Sequence, residues 1–137
     1  MIFMNLELDE LYCHPGLYIA RSDTHGWGVF TSEDIEMHDV LQESPYCTFP
    51  YKELHKKSDV LVRYTYDSSD NPQADEAVLG FGFAGLYNHS FDHNAAYELD
   101  TVNQVMRHYA LEDIPAGSEI FIDYGYEDED EADFGDY

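Results

Sequence analysis

Basic residues are scarce in this chain. Six lysines and arginines stand against 29 aspartates and glutamates, for a formal net charge of −23. So negative a surface repels a phosphate backbone, which argues against direct nucleic-acid binding and favours a basic partner. The same charge also serves solubility, and acidity alone does not separate the two uses. Cysteine is nearly absent. Cys13 and Cys47 offer neither metal-site spacing nor a disulfide framework, as expected of a reduced, intracellular protein. No apolar run is long enough for a membrane span, and the first residues lack the basic-then-apolar order of a signal peptide. There is one tryptophan, Trp27, against 12 tyrosines and 8 phenylalanines. Such an excess of tyrosine suits packing surfaces that also need hydroxyls.

What is present reads as one small domain. With 137 residues, 44% of them apolar, there is material for a single core. Residues 1–16 read as an N-terminal arm. From Leu17, "LYIARS", a turn at "DTHGWG" and then "VFTS" give a strand-turn-strand pattern. Short strands punctuated by Gly, Asp and Asn recur to the end. "TSEDIEMHDVLQE" echoes "ALEDIPAGSEIFID": each has Glu-Asp-Ile, a four-residue turn and a β run. Asp34-Ile35 and Asp113-Ile114 are therefore expected to enter matching turns, the second defined by Pro115 and Gly117. Residues 51–66 hold all three lysines and are expected to form a short helix, followed by a polar loop, "DSSDNPQADEA". Residues 127–137 are an acidic tail, with seven acids in the ten positions 127–136. The expected fold class is mostly β with short helices.

Three segments are suited to chemistry. In "HGWGVF", Gly26 and Gly28 permit backbone conformations and close approach that a Cβ forbids. Trp27 beside them suits either the core or the wall of a flat or sulfonium-bearing ligand. "GLYNHSFDHNAA", residues 85–96, crowds Asn88, His89, Ser90, Asp92, His93 and Asn94 among aromatic neighbours. One reading is a satisfied polar turn; another takes His89, His93 and His108 as metal ligands, although the glycine-rich context argues against the helix that this spacing needs. In "EIFIDYGYEDED", Ile120 and Ile122 alternate with Phe121 and Asp123 as in a strand buried on one side. Tyr124 and Tyr126 follow it, and Tyr64 and Tyr66 in "VRYTY" form a second tyrosine pair. Such phenols either pack a strand end or orient an amine in a dry pocket.

In order and spacing these segments resemble the SET domain, the fold of S-adenosylmethionine-dependent protein lysine methyltransferases. "HGWGVF" resembles the family's Gly-x-Gly motif, "YNHSFDHNA" its Asn-His-Ser-x-x-x-Asn motif, and "DIPAGSEIFIDYG" its closing segment, with Ser118 at the first Glu. The chain is particularly similar to the small stand-alone SET proteins of large DNA viruses. The resemblance implies a SET domain over 17–126, of β-clip fold with a C-terminal pseudoknot in which residues 85–94 take part. It implies that His25, Gly26, Trp27, Gly28, Asn88 and His89 bind S-adenosylmethionine. Tyr124 aligns with the catalytic tyrosine and Tyr64 with a tyrosine of the lysine channel, which Tyr66, Tyr87 and Tyr126 would also line. The family's cysteine-rich zinc segments are absent, so no metal is expected. Phe134 and Tyr137 join Tyr126 as candidates to close the substrate side.

The activity so implied is methyl transfer to a lysine of a basic protein, a histone first of all. With a histone substrate the location would be the nucleus and chromatin. The viral members pair into dimers, which implies a homodimer here. Two further readings stand beside this one: a SET-like binding module without catalysis, and an acidic decoy for basic proteins that needs no cofactor.

Overall fold

Alternating side chains and turn residues set out the strands of a computed structural model that describes residues 7–50, 64–67 and 76–123. Strand β1 (Leu17–Arg21) and strand β2 (Trp27–Thr31) form an antiparallel hairpin, with Leu17 opposite Thr31 and Arg21 opposite Trp27. The long β3 (Val40–Pro50) is followed by β4 (Thr65–Asp67) and β5 (Glu76–Gly80). A 3-10 turn at Gly82–Gly85 leads into the two-residue β6 (Asn88–His89). Strands β7 (Ala95–Asp100), β8 (Val105–Ala110) and β9 (Glu119–Ile122) complete the described chain. One sheet has the order β1-β2-β9-β6 and the other β4-β5-β3-β8-β7.

The helix expected over 51–66 does not extend to its end. Thr65 and Tyr66 belong to β4 and pair with β5, because an aromatic and β-branched run suits extended chain. The rest of that segment, 51–63, lies outside the described residues. The expected polar loop also starts later and ends earlier than its composition indicates. Asp67 pairs with Ala77, and Ala77 is fully buried. Among the described residues the one helical element is the 3-10 turn.

The main core lies where β2, β6 and β9 meet the second sheet. Val29, Leu41, Tyr87, Ala95, Ala110, Ile120 and Ile122 share it with Ile35 and Ile114. Each large apolar side chain so buried contributes about 1.5–3 kcal/mol. A second cluster, Tyr46, Val78, Ala84 and Met106, sits under β4 and β7 with Tyr66, Tyr97 and Leu99 packed on it. Strand β8 is buried at five of its six residues because it lies between β3 and β7.

The repeated Glu-Asp-Ile segments do more than enter similar turns: they bind each other. Ile35 and Ile114 exchange both backbone hydrogen bonds at 2.8 Å. Asp113 accepts from the Met37 amide at 2.8 Å, and Asp34 accepts from the Ala116 amide at 2.9 Å. The third residue of each four-residue turn has positive φ, 74° at His38 and 88° at Gly117. The carboxylates thus cap each other's turns, and these turns lead into β3 and β9.

Buried charge ties the second sheet together. Arg107 Nε donates to Glu43 at 2.7 Å, and Arg107 Nη2 donates to Asp100 at 3.0 Å. Burial would raise the Asp100 carboxyl. Hydrogen bonds from the side chain and backbone of Asn103 and from Arg107 outweigh it and hold the group below its ordinary value.

Candidate functional site

The hairpin turn between β1 and β2 is built around Ser22. Its amide donates to Gly26 O at 2.8 Å, and its hydroxyl accepts from the amides of Thr24 at 2.9 Å and His25 at 3.2 Å. Gly26 has φ +48°, which glycine adopts without the penalty a Cβ brings. Gly28 is required for space. A Cβ there would stand 2.3 Å from Glu119 Oε2 and 3.0 Å from Asn88 Nδ2.

Asn88 and His89 reach this turn because β6 pairs parallel with β9, Asn88 opposite Phe121 and His89 opposite Ile122. Asn94 reinforces the crossing: its side chain accepts from the Phe121 amide at 2.8 Å and donates to Glu119 O at 3.0 Å. The Asn88 side chain, only 4% exposed, donates through Nδ2 to His25 O at 2.9 Å and Glu119 Oε2 at 2.8 Å, with Trp27 O at 3.3 Å. All three neighbours are acceptors, which fixes the amide orientation. Glu119 closes the arrangement, accepting from Ser22 Oγ at 2.6 Å through its other oxygen. Residues 22–28, 88 and 119, remote in sequence, therefore meet at one place.

Trp27 stands at the rim of this place and not in the core. It is 49% exposed, and the Arg21 guanidinium lies 4.0 Å from its ring centroid, a cation–π contact. His89 is buried beside the turn, edge-on to Phe91 with centroids 4.6 Å apart, and its Nδ1 lies 3.8 Å from Asp123. Burial lowers the affinity of this imidazole for a proton, and Asp123 opposes that in part. The described residues contain no group of three His, Cys, Asp or Glu side chains placed to hold a metal. His108 is instead surrounded by tyrosines, so the three-histidine ligand set is not assembled.

Those tyrosines form a second centre. Tyr87 is 1% exposed, its hydroxyl donates to Gln42 Oε1 at 3.2 Å, and its ring stacks on His108 at 4.3 Å. Burial holds this phenol protonated, far above its ordinary range. The register shift in β3 between Val40 and Gln42 lets Leu41 and Gln42 both face inward, which brings the amide to Tyr87. The Tyr66 hydroxyl donates to Ala84 O and lies 3.3 Å from His108 Nε2. Burial pushes the His108 pKa down to about 3, and the ring is neutral. Tyr97 packs edge-on against Tyr66 with centroids 4.7 Å apart. Tyr64 lies where a Cβ on Gly85 would be 3.5 Å from its ring. Tyr124 and Tyr126, together with Phe134 and Tyr137, lie outside the described residues.

Sequence reading alone missed Glu119, Ser22, Gln42, Tyr97 and, except as a metal ligand, His108. Glu119 had a signal. It shares a strand face with Phe121, opposite the buried Ile120 and Ile122, and so had to point away from the core. His108 had none, since its tyrosine neighbours come from three separate segments.

Known proteins are similar to this chain over most of its length. The sequence pattern of the SET domain matches residues 26–125. The chain is 31% identical over 119 residues to a Schizosaccharomyces pombe histone-lysine N-methyltransferase, H3 lysine-37 specific, covering 82% of this chain and 78% of that protein. It is 29% identical over 122 residues to a histone-lysine N-methyltransferase of Aspergillus oryzae, H3 lysine-4 specific, covering 83% of this chain but 10% of that longer protein. A crystal structure described as a Plasmodium falciparum histone methyltransferase superposes with a TM-score of 0.67 at 30% identity, covering 83% of this chain and 96% of that one. The chain belongs to the SET-domain family.

Proposed function

We propose that this chain is an S-adenosylmethionine-dependent protein lysine methyltransferase that acts on histones. The observation that carries the reading is the convergence of the 22–28 turn with Asn88 on one carboxylate, in a chain of this family. The residues fit the cofactor. Gly26 takes a positive φ and carries no side chain, and Glu119 brings a carboxylate to the same turn. His25, Gly26, Trp27, Gly28, Asn88 and His89 would hold the cofactor, which supplies a methyl group on positively charged sulfur.

The chain's own residues would do the rest. A lysine amine must arrive neutral, although its unperturbed pKa is about 10.4. Tyr64, Tyr66, Tyr87 and Tyr126 would line a narrow channel whose desolvation favours the neutral amine. The Tyr124 hydroxyl would orient the amine nitrogen toward the methyl group, so catalysis rests on positioning more than on an acid-base pair. Residues 85–94 would contribute to the pseudoknot crossing that the C-terminal strand threads. The net charge of −23 complements a lysine- and arginine-rich tail. Histone modification would place the protein in the nucleus on chromatin, and a likeness to the viral members would imply a homodimer.

The test is incubation of a histone mixture with S-adenosylmethionine carrying a labelled methyl group, read by mass spectrometry. The expected result is label on histone lysines, lost with Tyr124→Phe. Cofactor binding without transfer to any basic protein would favour the non-catalytic module. No cofactor binding at all would leave the acidic decoy.

A further inference from the structure

We propose that Glu119 is a positioning residue for the cofactor. Its carboxylate locks the 22–28 turn onto β6, and the turn is in binding shape only while both oxygens are engaged. The inference rests on the methyltransferase reading and adds a residue to it.

The two arms are unequal in route but equal in effect. Through Oε1 the carboxylate accepts from Ser22 Oγ at 2.6 Å, and Ser22 Oγ accepts from the amides of Thr24 and His25. Through Oε2 it accepts from Asn88 Nδ2 at 2.8 Å, and Asn88 donates to His25 O. One side chain on a third segment thus holds the turn by its amides on one side and by a carbonyl on the other. Bonds to an ionised acceptor are shorter and stronger than neutral ones, as the 2.6 Å distance reflects.

The geometry also gives a reason for glycine at position 28. The space that a Cβ would enter there is taken by Glu119 Oε2, 2.3 Å away. Gly28 and Glu119 are therefore partners.

Only a carboxylate satisfies both arms. Ser22 Oγ already accepts two amide protons, so toward Glu119 it acts as donor, and Asn88 presents its NH₂. A glutamine at 119 has the same shape but must direct its own NH₂ at one of these donors. Either choice releases one side of the turn.

Glu119→Gln and Ser22→Ala should be compared with wild type, with the exposed Glu112→Gln as control. Titration calorimetry with S-adenosylmethionine should show affinity weakened about tenfold or more in Glu119→Gln, and by a similar factor in Ser22→Ala. The KM for the cofactor should rise by the same factor while kcat at saturation stays within about twofold. In the cofactor-free protein, hydrogen exchange should quicken at the amides of Thr24 and His25 and not across the sheets. Unchanged affinity in both variants, with a wild type that binds, overturns this inference alone. So does a fall in kcat with KM unmoved, or exchange that quickens uniformly. A wild type that binds no cofactor overturns the methyltransferase reading and this inference together.

Discussion

Replacing His108 by Phe should remove a defined part of the protein's sensitivity to acid. In the folded protein this imidazole is fully buried between Tyr66, Tyr87 and Tyr97, all uncharged, and its pKa lies at about 3. In the unfolded chain it is about 6.5. As pH falls, the unfolded state takes up the proton first, so stability is intact above about 6.5 and is lost progressively down to about 3. The slope is about 1.4 kcal/mol per pH unit, which gives a loss of about 2 kcal/mol between neutral pH and pH near 5. Phe keeps the ring that stacks on Tyr87, and Tyr66 keeps its acceptor on Ala84. Urea unfolding of both proteins at the two pH values measures the difference. The carboxylates and His89 titrate in both proteins and largely cancel. Wild type should lose about 2 kcal/mol more than the variant on acidification. Equal losses would show that His108 takes up its second proton as readily in the folded protein as in the unfolded chain, and the packing argument for a neutral imidazole would fall.

Arg107→Leu leaves Glu43 and Asp100 buried without their cation, and should cost about 3–5 kcal/mol in chemical denaturation. Gly28→Ala forces Glu119 aside and frees Asn88. The expected result is about 1–3 kcal/mol of lost stability by thermal melting and at least about a tenfold loss of S-adenosylmethionine affinity by calorimetry. His38→Gly removes a side chain from a positive-φ site that the matching turn fills with Gly117, and should stabilise the protein by about 0.5 kcal/mol in urea unfolding.

Local patterns in the sequence carried much of the fold. "LYIARS" and "VFTS" became the β1–β2 hairpin, and the Ile120/Ile122 alternation became the buried face of β9. The echo between the two Glu-Asp-Ile segments pointed to matched turns, but their mutual capping was invisible, because nothing local shows that Asp34 and Asp113 reach across to each other's turn. The end of the presumed helix failed for a similar reason: Thr65–Asp67 is extended because β5 is there to pair with it. At the site, the glycines and Asn88 were legible as residue types that ligand loops use. The meeting of Ser22 and Asn88 on Glu119 was not: alternation along β9 turns that carboxylate away from the core, but only the folded chain brings its partners to it. Tyr87 shows the same limit. The resemblance put it beside a channel, and nothing local showed that its hydroxyl donates to Gln42 and its ring stacks on His108.

Nuclear magnetic resonance titration of the isotope-labelled protein with S-adenosylmethionine tests the convergence of the two segments on one ligand. Amide resonances of residues 25–28 and of Asn88 and His89 should shift together along a single binding curve, with those of β4, β5 and β7 unmoved. Shifts in only one of the two segments, or none at saturating cofactor, would contradict the site described.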